Sequence, residues 1–287
     1  MEIAIGLPTA VPGTPGGAFA EWARRAEQAG FSSLGTIGRT VFDSHEELVA
    51  LAAAAAVTRR IRLATTVMVA PPRDPVLLAK QAATLDAVSG GRLCLGLGVG
   101  WREDDFRASG ADFKGRGEAL ERLIAVLRRV WAGEAAGGGA GPVGPRPVQK
   151  GGPPIWLGGT APAALRRAGR LGDAFIAPPL PPDGVRGLFE TVCKARQKAG
   201  RPGRPRLVGA GYYALGGEAE RGVENMRSYY AAGGEEFVRA MTASLLREPE
   251  AIQAHVRGYE AIGVDEVFLW PASCEPGQVE ALARALR

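Results

Sequence analysis

The feature that most restricts how this chain can fold is the stretch 61–101, IRLATTVMVAPPRDPVLLAKQAATLDAVSGGRLCLGLGVGW. Residues 61–69 alternate and then fill with β-branched and apolar side chains, as a buried parallel strand does. Pro71, Pro72 and Pro75 break that strand and open a helix, with Asp74 placed to cap its first turn. Leu77, Leu78, Ala82, Leu85 and Val88 recur at helical spacing until Ser89-Gly90-Gly91 ends the helix. Residues 92–99 form a second apolar strand that runs into Gly96, Gly98, Gly100 and Trp101. Strand, helix and strand make one βαβ unit, and the crossover of such a unit is right-handed. Both strands then end on one face, where a functional site is expected.

The same unit recurs along the chain. A first strand is predicted over 2–7 and a helix over 16–30, with Phe19, Trp22, Ala23, Ala26 and Ala29 on one side. A second strand, 33–37, leads through Gly38-Arg39-Thr40-Val41-Phe42-Asp43 to a helix that Ser44 is expected to cap, with Glu46 and Glu47 in its first turn. A helix over 115–131 follows the central unit. The segment 132–152 lacks periodicity and is dense in Gly and Pro, as a surface excursion is. Beyond it, strands are predicted over 154–157, 173–177, 206–215 and 266–270. Helices are predicted over 162–171, 185–199, 218–230, 235–246, 249–262 and 277–286. Eight strands alternating with helices within 287 residues favour α/β architecture as one (β/α)8 TIM barrel over 1–287. An open doubly wound sheet is the alternative that periodicity alone leaves standing.

Composition removes several classes of function. Apolar residues make up 46% and charged residues 23%, as in an ordinary globular chain, and no long apolar run marks a membrane span. The opening MEIAIGLPTA reads as a strand, not as a signal peptide. Cys94, Cys193 and Cys274 are widely separated and contain no CxxC pair. They suggest neither a disulfide framework nor a zinc site, and fit a reducing cytoplasm. The net charge of +5 is spread over arginines on predicted helix faces, so neither nucleic acid nor a membrane is expected as a partner.

In a barrel, functional groups come from the loops at the C-terminal strand ends. Gly158, Gly159 and Thr160 stand directly before a helix, where backbone N–H groups, the helix dipole and a hydroxyl together suit a phosphate. A simple strand-to-helix turn is the ordinary alternative. The series Gly96, Gly98, Gly100 is GxGxG and does not follow a first strand, so a dinucleotide fingerprint is a poor reading. Spaced glycines do give a flat strand end that a planar ligand can approach, which makes Gly98 and Gly100 cofactor-binding candidates. Thr65-Thr66-Val67-Met68 is either plain barrel rim or the lining of a ring system. Trp101 either packs under the next loop or faces the mouth. Of the two histidines, His255 lies mid-helix and reads as structural, whereas His45 lies near the mouth and stays a candidate. GxSxG, HExxH and P-loop motifs are absent, and no metal site is expected; a planar redox cofactor that carries its own chemistry would explain this.

The segment PPRDPVLLAKQAATLDAVSGGRLCLGLGVGW resembles the signature stretch of the bacterial-luciferase-like family of flavin-dependent oxidoreductases. So do WARRAEQAGFSSL, ELVALAAAAAVTRRIRLATTV and PPIWLGGTAPAALRRAGRLGDAFI, in the family's order and over nearly the whole chain. The resemblance implies a luciferase-like barrel that binds FMN (in reduced form) or the deazaflavin F420 at its C-terminal mouth. It implies that Gly158, Gly159 and Thr160 hold the cofactor phosphate, and that Thr66 and Val67 back the isoalloxazine ring, in many members through a non-proline cis peptide. It further implies a homodimer.

The chain departs from the family at one functional position. Many members carry an Asp-His pair just after strand two, where this chain has Gly38-Arg39, so no histidine catalyst is carried over. Arg39 is a candidate to hold an anionic substrate or to stabilise a reduced, anionic ring; a salt bridge to Asp43 is the structural alternative. The long insertion of some members is reduced to 132–152, which implies a more open pocket. The expected function is a monooxygenase that uses oxygen and FMN reduced by a separate flavin reductase, acting on a small organic substrate. An F420-dependent hydride transfer is one alternative, and a non-catalytic flavin-binding protein is another.

Overall fold

The computed structural model describes residues 1–137 and 141–287. Its strands are β1 (Glu2–Gly6), β2 (Ser33–Thr36), β3 (Arg62–Thr65), β4 (Met68–Val69), β5 (Leu93–Gly98), β6 (Ile155–Gly158), β7 (Ala174–Ile176), β8 (Arg206–Tyr213) and β9 (Glu266–Pro271). Every neighbouring pair is parallel. The strands run in the order β3-β2-β1-β9-β8-β7-β6-β5, and β3 also pairs with β5, which closes the sheet and removes the open doubly wound alternative. β3 and β4 both pair with β5, so they are two halves of one stave of an eight-stave barrel. The continuous strand expected over 61–69 is interrupted between them at Thr66–Val67, whose peptide bond is cis.

Helices cover the outside: α1 (Ala18–Ala29), α2 (Glu47–Val57), α3 (Pro75–Ser89), α4 (Glu103–Ser109), α5 (Arg116–Trp131), α6 (Pro162–Leu171), α7 (Pro182–Lys198), α8 (Ala219–Tyr230), α9 (Glu235–Ala243), α10 (Pro249–Ala261) and α11 (Gln278–Ala285). Their ends follow local chemistry. The Asp74 carboxylate accepts from the Leu77 amide at 2.7 Å, and Gly90 closes α3 in the left-handed region. α2 starts later than expected, because the Ser44 hydroxyl donates to the Arg39 carbonyl and the Glu46 carboxylate caps the helix instead. α4 lay hidden in a short acidic segment read as loop; Glu103, Asp104 and Asp105 sit in its first turn, where the helix dipole favours them. Leu77 and Val88, placed on the apolar side of α3 by spacing alone, face solvent, and Leu78, Ala79, Ala82 and Leu85 form the buried face.

Two layers of core result. Ile5, Leu34, Leu63, Leu95 and Leu269 on the staves pack against Trp22, Leu51, Leu78 and Leu127 on the helices. Inside the barrel, Ala4, Ala64 and Ala174 leave room for Trp156, whose ring meets Phe268 edge-on at 6.1 Å. Cys94 is buried among them, and burial pushes its thiol pKa up to about 12.

The floor of the barrel is ionic. The fully buried Glu266 carboxylate accepts from Ser32 and Ser33 hydroxyls, each at 2.6 Å, and from Arg62 at 2.9 Å and Arg206 at 3.1 Å. Both arginines also pair with Glu2. These residues open successive staves, so barrel closure alone brings them together. In the excursion 132–152, Ala135 and Pro142 form an antiparallel bridge. Its downstream end is held by buried Asp86, which accepts from the Val148 amide at 2.8 Å and the Gln149 side chain at 2.7 Å. Residues 138–140 of that expected excursion lie outside the described residues. Among the described residues, no helix is long and apolar enough to cross a membrane.

Candidate functional site

The C-terminal strand ends form the mouth of the barrel, and one half of it is built around Val67. This side chain is partly exposed, and it fills the space that side chains at the glycine positions would take. A Cβ on Gly98 would lie 2.8 Å from Val67 Cγ2, and one on Gly158 would lie 3.5 Å from Val67 Cγ1. A Cβ on Gly96 would collide with the Thr65 carbonyl oxygen. The glycines of β5 therefore admit the broken stave β3–β4, so strand packing accounts for them before any ligand does. Gly100 turns the chain at φ 71°, and a Cβ there would meet Val69 Cγ1 at 2.7 Å. Val67, Gly98 and Gly158 thus form one floor, and Gly100 sits at its rim.

Thr66 contributes to that floor through its backbone only. Its hydroxyl donates to the Thr36 carbonyl at 3.0 Å and accepts from the Trp270 indole N–H at 3.0 Å. Both of its roles are filled by protein, so it ties three strand ends together.

Next to this floor, β6 runs through Gly158 and Gly159 into α6. Gly159 has φ 134°, and a Cβ there would sit 2.8 Å from that of Ala164, so glycine is required. Among the described residues no side chain caps α6, and the Thr160 side chain is exposed. The turn leaves first-turn backbone donors and a hydroxyl open to solvent at the positive end of a helix. These residues fit a phosphate group, and Val67 beside them fits the flat face of a ring.

The other half of the mouth, over β8, β9, β1 and β2, is aromatic. Tyr212 at the end of β8 shares a 2.8 Å phenol–phenol hydrogen bond with Tyr230 at the end of α8. Trp270 meets Tyr212 at a tilt, and edge contacts run on from Tyr212 to Tyr230, Tyr229 and Phe42, and from Tyr230 to Phe237 and Trp101. Between these rings lies a cavity of about 20 Å³, room for a single water, lined by Leu7, Ile37, Tyr212, Tyr229, Tyr230 and Trp270. Burial holds the Tyr212 phenol well above its ordinary pKa, so it is a proton donor and not a phenolate at neutral pH.

Arg39 lies at the edge of this aromatic half. Its guanidinium carbon sits 4.4 Å from the centre of the Phe42 ring and 4.8 Å from that of Tyr229. Its Nε and Nη1 are buried and have no hydrogen-bond partner. Burial, followed by the charge of Arg102, lowers its pKa. The alternative reading, a salt bridge to Asp43, is not what forms; Asp43 accepts from the Gly13 amide at 3.2 Å. Gly38 beside it makes room for an acid from another element. A Cβ on Gly38 would lie 3.1 Å from Glu47 Oε1, an acceptor that is itself buried without a partner. Burial raises the Glu47 pKa, and Arg73 at 2.7 Å works against that shift. An acidic side chain at position 38 would be forced against this carboxyl.

The other candidates fall in different places. His45 donates through Nε2 to the Thr14 carbonyl at 2.8 Å and meets the Phe19 ring edge-on at 4.7 Å, which places its ring behind the first loop. Trp101 is half exposed at the rim, with Phe237 at 5.9 Å and Arg102 over its face at 5.8 Å. His255 reads as structural here too: it meets the Ala210 carbonyl at 3.2 Å outside the barrel wall. The residues that sequence reasoning did not place at the site are Glu47, Tyr229, Tyr230 and Phe237. The adjacent tyrosines ending a helix after β8 were the one visible signal. Among the described residues, no cluster of His, Cys, Asp or Glu is arranged to hold a metal.

Comparison with known proteins places this geometry. An uncharacterized protein of Mycobacterium tuberculosis is 35% identical over 163 residues, covering 54% of this chain and 56% of that protein. The FMNH2-dependent dimethylsulfone monooxygenase of Pseudomonas putida is 26% identical over 76% of this chain and 58% of its own length. The oxygenase component of the flavin-dependent trigonelline monooxygenase of Acinetobacter baylyi is 26% identical over 74% of this chain and 70% of its own length. The chain thus spans little more than half the length of the first curated relatives it matches. Among solved structures, a monooxygenase from Streptomyces bottropensis superposes with a TM-score of 0.79 at 24% identity, covering 100% of this chain and 97% of that one. The F420-dependent tetrahydromethanopterin reductase from Methanopyrus kandleri superposes at 0.77 and 16% identity, covering 100% and 99%. These last two likenesses show the fold. The family model for luciferase-like monooxygenases matches residues 1–269, nearly the whole barrel, and this chain therefore belongs to the luciferase-like monooxygenase family.

Proposed function

We propose that the protein is a flavin-dependent monooxygenase that takes reduced FMN from a separate reductase and acts with oxygen on a small organic substrate. The observation that carries this reading is the uncapped, glycine-dependent turn Gly158-Gly159-Thr160 lying beside the Val67 floor. Reduced FMN, when bound, supplies the electrons and the oxygen-activating chemistry. The chain's own residues do the rest. Gly159, Thr160 and the first turn of α6 would hold the phosphate, and Val67 with Gly98 would back the ring. Tyr212 and Tyr230 keep a proton in the aromatic half, and the rings around them exclude water.

The relatives from Pseudomonas putida and Acinetobacter baylyi support the FMN reading by their names, and the latter's status as an oxygenase component supports a separate reductase. F420-dependent hydride transfer and flavin binding without turnover are the competing outcomes.

The test is a fluorescence titration of the purified protein with FMN, with FMNH2 under anaerobic conditions, and with F420. FMNH2 is expected to bind, and the substitution Gly159→Val is expected to weaken it roughly tenfold or more, since the backbone donors lose their placement. Binding of F420 alone would replace the oxygen reading with hydride transfer. Binding of none would overturn the cofactor assignment.

A further inference from the structure

The guanidinium of Arg39 is a cation in an unusual position. Two of its nitrogens are buried and unpartnered, and among the described residues no carboxylate lies within ion-pair reach of it. The nearby acids are engaged elsewhere. Asp104 pairs with Arg102, Asp105 accepts from the Val41 amide at 2.7 Å, and Asp43 accepts from Gly13. A buried donor without an acceptor is unfavourable, and more so when it is charged. The rings of Phe42 and Tyr229 offset part of that cost by facing the cation, but neither is an acceptor for an in-plane N–H. The position therefore lacks one anion.

The surroundings define which anion. The spare charge is a single one, so a monoanion balances it and a phosphate dianion would exceed it. Tyr229 adjoins both the guanidinium and the cavity: its ring centre lies 4.8 Å from the Arg39 guanidinium carbon, and it lines the cavity with Ile37, Tyr212 and Trp270. An apolar body held beside the guanidinium would meet aromatic rings. We propose that Arg39 is the anion-recognition residue of the substrate site, and that the substrate class is a small organic monocarboxylate with an apolar or aromatic body. This rests on the monooxygenase reading for what becomes of the substrate, but not for its binding.

The experiment uses benzoate and its neutral isostere benzamide as probes, titrated calorimetrically into the wild-type protein and into Arg39→Met. Charge-assisted hydrogen bonds from one guanidinium predict that wild type binds benzoate roughly ten- to a hundredfold more tightly than benzamide. Arg39→Met is expected to bring the two probes to nearly equal affinity and to leave FMN binding unchanged. If it does not fold by circular dichroism, Arg39→Gln carries the same comparison. Equal affinities in wild type, no benzoate binding at millimolar concentration, or a preference that survives the loss of Arg39 would each overturn the proposal. So would a loss of FMN affinity matching the loss for benzoate, which would assign Arg39 to the cofactor. Failure of FMN itself to bind would sink the cofactor reading while leaving the benzoate comparison readable.

Discussion

Replacing Gly96 by alanine separates two uses of the glycine series on β5. If glycine is there so that a ligand can approach, the substitution leaves the fold intact and costs affinity. The structure gives it another task. A Cβ at position 96 runs into the carbonyl oxygen of Thr65, a backbone atom with little freedom to move. β3 is fixed on its other side by pairing with β2, at Gly35↔Ala64 and Thr36↔Thr65. The Thr65 hydroxyl also donates to the Gly96 carbonyl at 2.7 Å, and this bond is lost if the strands part. Overpacking a tight core costs about 1–3 kcal/mol, and a lost buried hydrogen bond adds about 1 kcal/mol. Gly96→Ala is therefore expected to lose about 2–4 kcal/mol, a large share of ordinary domain stability yet compatible with a folded protein in buffer. Gly98→Ala is the internal control, since its Cβ meets Val67 Cγ2 at 2.8 Å, and a methyl group yields by rotating. That rotation costs about 0.5–1.5 kcal/mol and tilts the side chain that floors the mouth. Urea unfolding should show a lower midpoint for Gly96→Ala at unchanged slope, whereas Gly98→Ala should show the larger fractional loss of FMN affinity. Gly96→Ala within about 0.5 kcal/mol of wild type, the range of ordinary surface substitutions, would refute the packing argument.

Three further outcomes follow from the barrel floor and interior. Glu266→Gln leaves Arg62 and Arg206 with only the partly exposed Glu2 as a counter-charge, and should destabilise the protein by about 3–5 kcal/mol in equilibrium unfolding. For the same cluster, burial opposes ionisation of Glu2, but Arg62 and Arg206 outweigh it and hold its pKa below the ordinary 4.5. A carboxylate depressed on folding stabilises above its unfolded pKa, so this contribution should persist at neutral pH and fade as pH drops below about 4.5 through the folded value. A stability profile that rises on acidification would contradict it. Cys94, buried to 7% exposure and with its thiol pushed up to about 12, should resist iodoacetamide at pH 8 in the native protein and react once urea is added; rapid native labelling at Cys94, read by peptide mass spectrometry, would show the interior to be open.

Much of this molecule is written in short-range pattern. The periods of strand and helix, Asp74 as a cap, Gly90 as a stop and the turn at Gly158-Gly159-Thr160 depend on residues a few positions apart, and these were legible before any fold was known. Where local signals competed, they misled. Ser44 looked like a cap but spends its hydroxyl on Arg39, and Leu77 looked buried but faces outward, because helix position is settled by what the neighbouring elements cover. The family's missing histidine was visible as Gly38-Arg39. That Glu47 occupies the space over Gly38 was not, since only packing reveals it.

The sequence by itself determined the succession of elements, since periodicity and caps act within one turn or one strand, whereas closure into a barrel was decided by the pairings of β1 with β9 and of β3 with β5. It also determined where the turn Gly158-Gly159-Thr160 lies, because those three residues are contiguous. Only the tertiary structure decided which side chains meet across the barrel. Closure gathers Glu2, Ser33, Arg62, Arg206 and Glu266 into one ionic floor, brings Tyr229 to Arg39, and sets Thr65 against Gly96. Such contacts depend on stave order and register, which no local spacing encodes, and burial then turns an arginine that would be unremarkable in water into a cation in need of a partner.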